Sequence, residues 1–196
     1  LVKPTPKFKR VGKIIFTNFR GSNFPAPWTN VGFTPSTNGM QSPVTGGINQ
    51  IIEYDQYSNL DSFITMFRFN MVSKSNVLLT NYHKKLSTSG GHVVGFDLVN
   101  GLIIIYAATV KGTMPSTILA QFNIPFTIVT GDTSIRYERN AMLEKYTIVN
   151  GSNSYTAEYD STTQSGNTGG GYDKFGLVFL SGNIIVQEAH YHSQLA

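Results

Sequence analysis

Apolar residues recur at every second position along most of this chain, in runs that are short. Side chains alternate between the two faces of a strand, so such runs read as strands with one buried face. They predict strands at 13–19, 48–56, 63–72, 77–82, 92–99, 102–109, 119–124, 135–139, 143–149, 155–159, 175–179 and 184–192. Glycine, asparagine, serine and proline separate them, and no segment carries the 3.6-residue period of an amphipathic helix. Asn150 and Gly151 stand between two of the runs, and Asn100 and Gly101 between two others. Asn–Gly at such a place favours a hairpin, because both residues tolerate the positive φ of a type I′ turn. The fold class implied is all-β: two antiparallel sheets packed as a β-sandwich.

Alternation also assigns faces. Phe63, Phe67, Phe69 and Met71 share one side, taken as core, and Met66, Arg68 and Asn70 the other. Ile48, Ile52 and Tyr54 are assigned inward, leaving Asn49, Ile51, Glu53 and Asp55 outward. Val94, Phe96 and Leu98 point in and Asp97 points out. If these strands are neighbours, Glu53, Asp55, Arg68 and Asp97 share the outer face of one sheet.

The ending has a recognisable order: a strand at 135–139, the hairpin around Asn150, a glycine-rich loop at 165–171, a strand holding Phe175, Gly176 and Leu177, and a long last strand. This order resembles the concanavalin A-like (laminin G-like) jelly roll, a superfamily of lectins and glucanases. The resemblance covers about residues 14–192 and lies in strand order, not in a motif. It implies a poly- or oligosaccharide partner. The function it implies first is a non-catalytic, extracellular carbohydrate-binding or adhesion module of a bacterial protein, secreted or at the cell surface. Such a module can be the accessory domain of a larger carbohydrate-active enzyme or esterase. Two alternatives stand beside it: a polysaccharide-degrading glycoside hydrolase using Glu53 and Asp55, and a structural packing module of a surface or phage-fibre protein.

Composition narrows the field. The 196 residues suit a short arm at 1–12 followed by a single sandwich domain at 13–196, and an apolar fraction of 40% is enough for one core. The absence of cysteine excludes disulfides, thiol catalysis and cysteine-based zinc sites. Much of the formal net charge of +4 sits in the first thirteen residues, at Lys3, Lys7, Lys9, Arg10 and Lys13. No basic stripe elsewhere argues for nucleic acid. No apolar run approaches the roughly 20 residues of a membrane span. Beginning at Leu1 without a signal-like stretch, and with Pro4 and Pro6 suited to a linker, the chain reads as a processed protein or a segment of a longer parent.

The chemistry starts at Glu53 and Asp55. Carboxylates two apart on a strand lie on one face, where one can raise the other's pKa for acid–base work on a glycoside. In the jelly-roll glycosidases that the strand order resembles, Glu-x-Asp is followed after one or two residues by a second Glu. Tyr57 and Ser58 occupy those positions here, so no catalytic residue is assigned. Glu188, His190 and His192 share a face but fall short of a zinc ligand set without a further ligand, so no metal is assigned. No other cofactor is expected; the resemblance leaves room for structural Ca²⁺, with Asp132, Asp160 and Asp173 as loop carboxylates. Asn150, Gly151 and Ser152 also match an N-glycosylation acceptor.

Sugars stack their C–H faces on aromatic rings while neighbouring polar groups bond the hydroxyls. Trp28, in a proline-flanked loop, is either such a platform or a core plug, and Tyr57, Tyr82 and Tyr172 are comparable candidates. The carbohydrate-binding set is therefore Glu53, Asp55, Arg68, Tyr82, His83, Asp97 and Trp28. Arg68 is central, because its fixed fork of donors suits paired hydroxyls or a uronate. The plainer role for Arg68 is a cross-strand pair with Glu53 or Asp55.

Overall fold

A computed structural model of the chain describes residues 11–21, 24–55, 62–82, 92–107, 112–140, 143–161 and 174–194. The strands are β1 (Val11–Asn18), β2 (Trp28–Val31), β3 (Thr34–Ser36), β4 (Gly39–Gln41), β5 (Ile51–Asp55), β6 (Ser62–Tyr82), β7 (His92–Asp97), β8 (Leu102–Tyr106), β9 (Ile118–Asn123), β10 (Gly131–Asn140), β11 (Leu143–Asn150), β12 (Asn153–Asp160) and β13 (Lys174–Gln194). Among the described residues there is no helix. None is therefore long and apolar enough to cross a membrane.

Two strands build the architecture. β6 and β13 are 21 residues each and pair antiparallel from Lys174 opposite Tyr82 to Ser193 opposite Phe63. A straight strand of that length would reach about 70 Å, far beyond one small sheet. The register shifts between Phe179 and Ile184, and there both strands turn from one sheet into the other. Ser75 is fully buried at this corner; its Oγ donates to Ser73 O at 2.6 Å and accepts from Asn183 N at 3.1 Å. Gly182 sits against it at φ +98, where a Cβ would lie 2.2 Å from Ser75 Oγ and 2.5 Å from Lys74 O. No other residue fits that position.

The first sheet runs β2–β5–β13–β6–β7–β8–β9, using the first half of β13 and the second half of β6. The second runs from β13 through β6, β10 and β11 to β12, with β1 and the β3–β4 hairpin along the other edge of β13. Phe175 from one half of β13 stacks on Tyr191 from the other at 4.9 Å, which closes the two sheets on each other. Phe63, Phe67, Phe69 and Met71 are all buried in this core, as the alternation of 63–71 requires. Burying each such side chain stabilises the fold by about 1.5–3 kcal/mol.

Four sequence expectations are corrected. Runs 63–72 and 77–82 are one strand, and so are 175–179 and 184–192; the polar residues between them mark the corner, not a loop. The short strands β2, β3 and β4 had no signal, being three or four residues long among Pro25, Pro27 and Pro35. Asn150 pairs with Asn153, so the hairpin loop is Gly151 and Ser152, with φ 60 at Gly151. The Asn150 amide is buried, bonding Val129 N and O and Thr133 Oγ1 at 2.9 Å each, and this removes the glycosylation reading.

Candidate functional site

The outer face of the first sheet is the candidate site. Register arranges its outward positions in rows. Thr29, Glu53, Gly176, Thr80 and Val93 form one, and Val31, Ile51, Val178, Leu78, Gly95 and Ile104 the next. The second row is aliphatic. Ile51, Leu78, Val93 and Val178 form an apolar cluster separate from the core, with Ile48, Tyr106 and Leu180 packed against it. Ile48 was assigned inward; it belongs instead to this outer cluster.

Tyr106, at the end of β8, lies across the middle of β7. A Cβ built on Gly95 would come 3.0 Å from Tyr106 Cε2 and 3.5 Å from its hydroxyl oxygen. The missing side chain is what lets the ring rest against the strand. Burial raises the phenol pKa above its usual value, and the Asp97 carboxylate raises it further. The result is a half-buried aromatic plate with a polar tip. Sequence reasoning missed it, although a glycine inside the alternating run of β7 was the available signal.

At the other end of the face Glu53 points away from the core, as its alternation requires, but it is only 1% exposed. Its Oε1 lies 3.5 Å from Lys174 Nζ. The expectation of an accessible carboxylate there is corrected. Beside it, Thr29, Val31, Ile48, Asn49, Ile51, Gly112 and Val178 line a pocket of about 190 Å³.

Of the predicted binding residues whose side chains are described, Glu53, Arg68, Asp97 and Trp28 do not come together. Arg68 lies on the outer face of the second sheet, on the opposite side of the sandwich from Glu53. Both face away from the core, but β6 turns the corner between Arg68, opposite Glu188, and its second half, which pairs with the part of β13 that carries β5. Arg68 Nε and Nη2 donate to Asp132 Oδ1 and Oδ2 at 2.8 and 2.9 Å, and its Nη1 is 3.5 Å from Glu188 Oε1. Its fork is thus engaged by Asp132 and Glu188, not by Glu53 or Asp55.

Trp28 is a core residue, 6% exposed, with Phe19, Tyr54, Phe67 and Phe175 edge-on around it. Its Nε1 donates to Thr17 Oγ1 at 2.9 Å. Asp97 is on the candidate face, but its carboxylate accepts from Asn100 N at 3.0 Å and Asn100 Nδ2 at 2.8 Å, shaping the turn after β7. Asp55 and Tyr82 occupy register positions on either side of Lys174. Their side chains, and the whole of His83, Tyr57, Ser58, Tyr172, Asp173, the 165–171 loop and residues 1–10 of the arm, lie outside the described residues.

Among the described residues no three His, Cys, Asp or Glu side chains cluster as metal ligands. Both oxygens of Asp132 accept from Arg68, and Glu188 Oε2 lies 3.6 Å from His190 Nε2 with no third ligand grouped there.

No protein-family model matches the chain, and no curated protein matches its sequence. Solved structures match its fold. The exoplasmic/lumenal domain of VIP36 in a Ca²⁺/Man3GlcNAc-bound form has a TM-score of 0.65 at 10% identity, covering 95% of this chain and 91% of that one. A Bacillus subtilis protein of unknown function with a galectin-like fold has a TM-score of 0.61 at 8% identity, covering 95% and 99%. Basic winged bean lectin with Tn-antigen has a TM-score of 0.56 at 14% identity, covering 94% and 100%. The chain has the concanavalin A-like jelly-roll fold that its strand order resembles.

Proposed function

We propose that the chain is a non-catalytic carbohydrate-binding module whose saccharide rests on the outer face of the first sheet, against Tyr106. The observation that carries this reading is the Tyr106 ring lying over Gly95, beside Asp97 and the aliphatic floor. A partly exposed aromatic plate with polar groups at its rim suits the alternating C–H and hydroxyl surface of a sugar. The fold shared with lectins supports it. An extracellular or lumenal setting, as an accessory or adhesion domain of a longer protein, accords with such a partner. The 1% exposure of Glu53 favours the binding reading over the alternative of a glycosidase using Glu53 and Asp55.

A glycan array followed by calorimetric titration of the best ligand tests this. Tyr106→Ala is expected to weaken binding about tenfold with little change in melting temperature. Binding that survives Tyr106→Ala undiminished, or an array on which nothing is retained, overturns the reading.

A further inference from the structure

The pocket beside Glu53, on the same outer face as Tyr106, has a chemistry of its own. Ile51 and Val178 form its floor and are 7% and 1% exposed, while Val31 at the rim is 52% exposed. These floor side chains offer a hydroxyl no partner, the Thr29 hydroxyl being spent on Glu53 O at 3.3 Å, and an unpaired buried hydroxyl costs about 1–3 kcal/mol. A bare sugar ring therefore gains nothing by entering. An apolar group does, and the space is sufficient: a dry apolar cavity of about 150 Å³ accepts benzene, against about 190 Å³ here.

The mouth adds a second requirement. Asn49 is exposed at the rim, and its Oδ1 would be 3.4 Å from a Cβ on Gly112, so the carboxamide stands at the pocket's lip. A carboxamide presents one acceptor and two donors, which matches an amide in both directions, whereas an ester can only accept. An apolar chain joined to its carrier through an amide satisfies floor and lip together.

We propose that this pocket holds the N-acyl chain, of about four to six carbons, of an N-acylated amino sugar. The proposal rests on the carbohydrate reading above and names the substituent that the same face selects. Chain length decides affinity here, because each further methylene leaves water for the pocket.

The test is calorimetric titration with glucosamine, galactosamine and mannosamine, each as the N-acetyl and the N-hexanoyl derivative, and with N-hexanoyl ethanolamine, which keeps the chain and lacks the ring. At least one N-hexanoyl sugar is expected to bind tenfold or more tighter than its N-acetyl counterpart. Val31→Asp should abolish that difference; the half-exposed site makes loss of fold a small risk, and an unchanged melting temperature confirms it. Equal affinity for the two chain lengths overturns the proposal and leaves the carbohydrate reading standing. Equal affinity for N-hexanoyl ethanolamine overturns it as well, since the ring then contributes nothing. No binding to any of these sugars, with an empty glycan array, overturns both.

Discussion

Gly95 and Tyr106 face each other across β7 and β8 so closely that a single methyl on Gly95 would meet the ring edge at 3.0 Å. The obstacle is the far end of a side chain, which can swing away. Gly95→Ala is therefore expected to change stability by less than about 1 kcal/mol, the methyl's strand benefit offsetting the displaced contact. Saccharide affinity should fall, by about three- to tenfold if the plate carries the binding. Denaturant melts alongside titrations check both halves. An unchanged affinity would separate Tyr106 from the site.

Gly176 poses the opposite case. A Cβ there would lie 2.8 Å from Ile52 O and 3.3 Å from Glu53 Cα, both main-chain atoms of the neighbouring strand. Backbone cannot rotate aside, so the two strands must part. Gly176→Ala is expected to lose about 1–3 kcal/mol, read as a lower urea midpoint at constant slope. A midpoint equal to that of Gly95→Ala would contradict this distinction.

The contrast shows what was legible in the sequence. The period of two placed Phe63, Phe67, Phe69, Met71, Val94 and Phe96 in the core correctly, because burial of one face is written into adjacent residues. The alternation cannot say which sheet a position belongs to once a strand turns a corner. Arg68 and Thr80 have the same parity on β6, yet lie on opposite sides of the molecule. Nor does it separate facing outward from being accessible, which is why Glu53 misled. Trp28 was ambiguous for another reason: its short proline-rich surroundings hide a strand that the pairing with β5 supplies.

Arg68 supplies a test of that geometry. Its side chain and that of Asp132 are 39% and 58% exposed, and pairs this open contribute about 0–1 kcal/mol. Arg68→Ala should cost no more than that, and saccharide affinity should not move, because the residue is on the far sheet. A clear loss of affinity with an intact fold would shift the site to the second sheet.

The same pair gives a pH dependence. The Arg68 hydrogen bonds hold the Asp132 carboxyl below its usual pKa of 3.8, with the Arg68 and Arg20 charges acting the same way against the opposing effect of burial. A carboxyl depressed on folding contributes stability that is complete above the unfolded pKa and is lost as pH falls through the folded one. Melting temperatures taken from pH 5 downwards should thus fall less steeply below about pH 4 in Arg68→Met than in the wild type, the effect being small because solvent screens the pair. Identical profiles would mean that the pairing does not persist in solution.

Arg139 and Glu144 form a very different pair. They face each other across β10 and β11 at the end of the core, with side chains 1% and 0% exposed and Nη1 3.5 Å from Oε1. The Tyr146 hydroxyl donates to Glu144 Oε2, and Tyr146 stacks on Tyr137 at 4.9 Å. Burial pushes the Tyr146 phenol well above its usual pKa, with Tyr137 and Glu144 adding to it, so the hydroxyl stays a donor. Removing the cation alone leaves a desolvated carboxylate without this counter-charge, and breaking buried pairs in this way costs about 3–5 kcal/mol. Arg139→Met should lose stability on that scale in guanidinium melts. Replacing both charges at once, Arg139→Met with Glu144→Leu, removes the desolvation cost together with the attraction, and should recover much of the loss. If the single variant is as stable as the double, the carboxylate does not depend on Arg139. The pair would then be a matter of packing, not of charge.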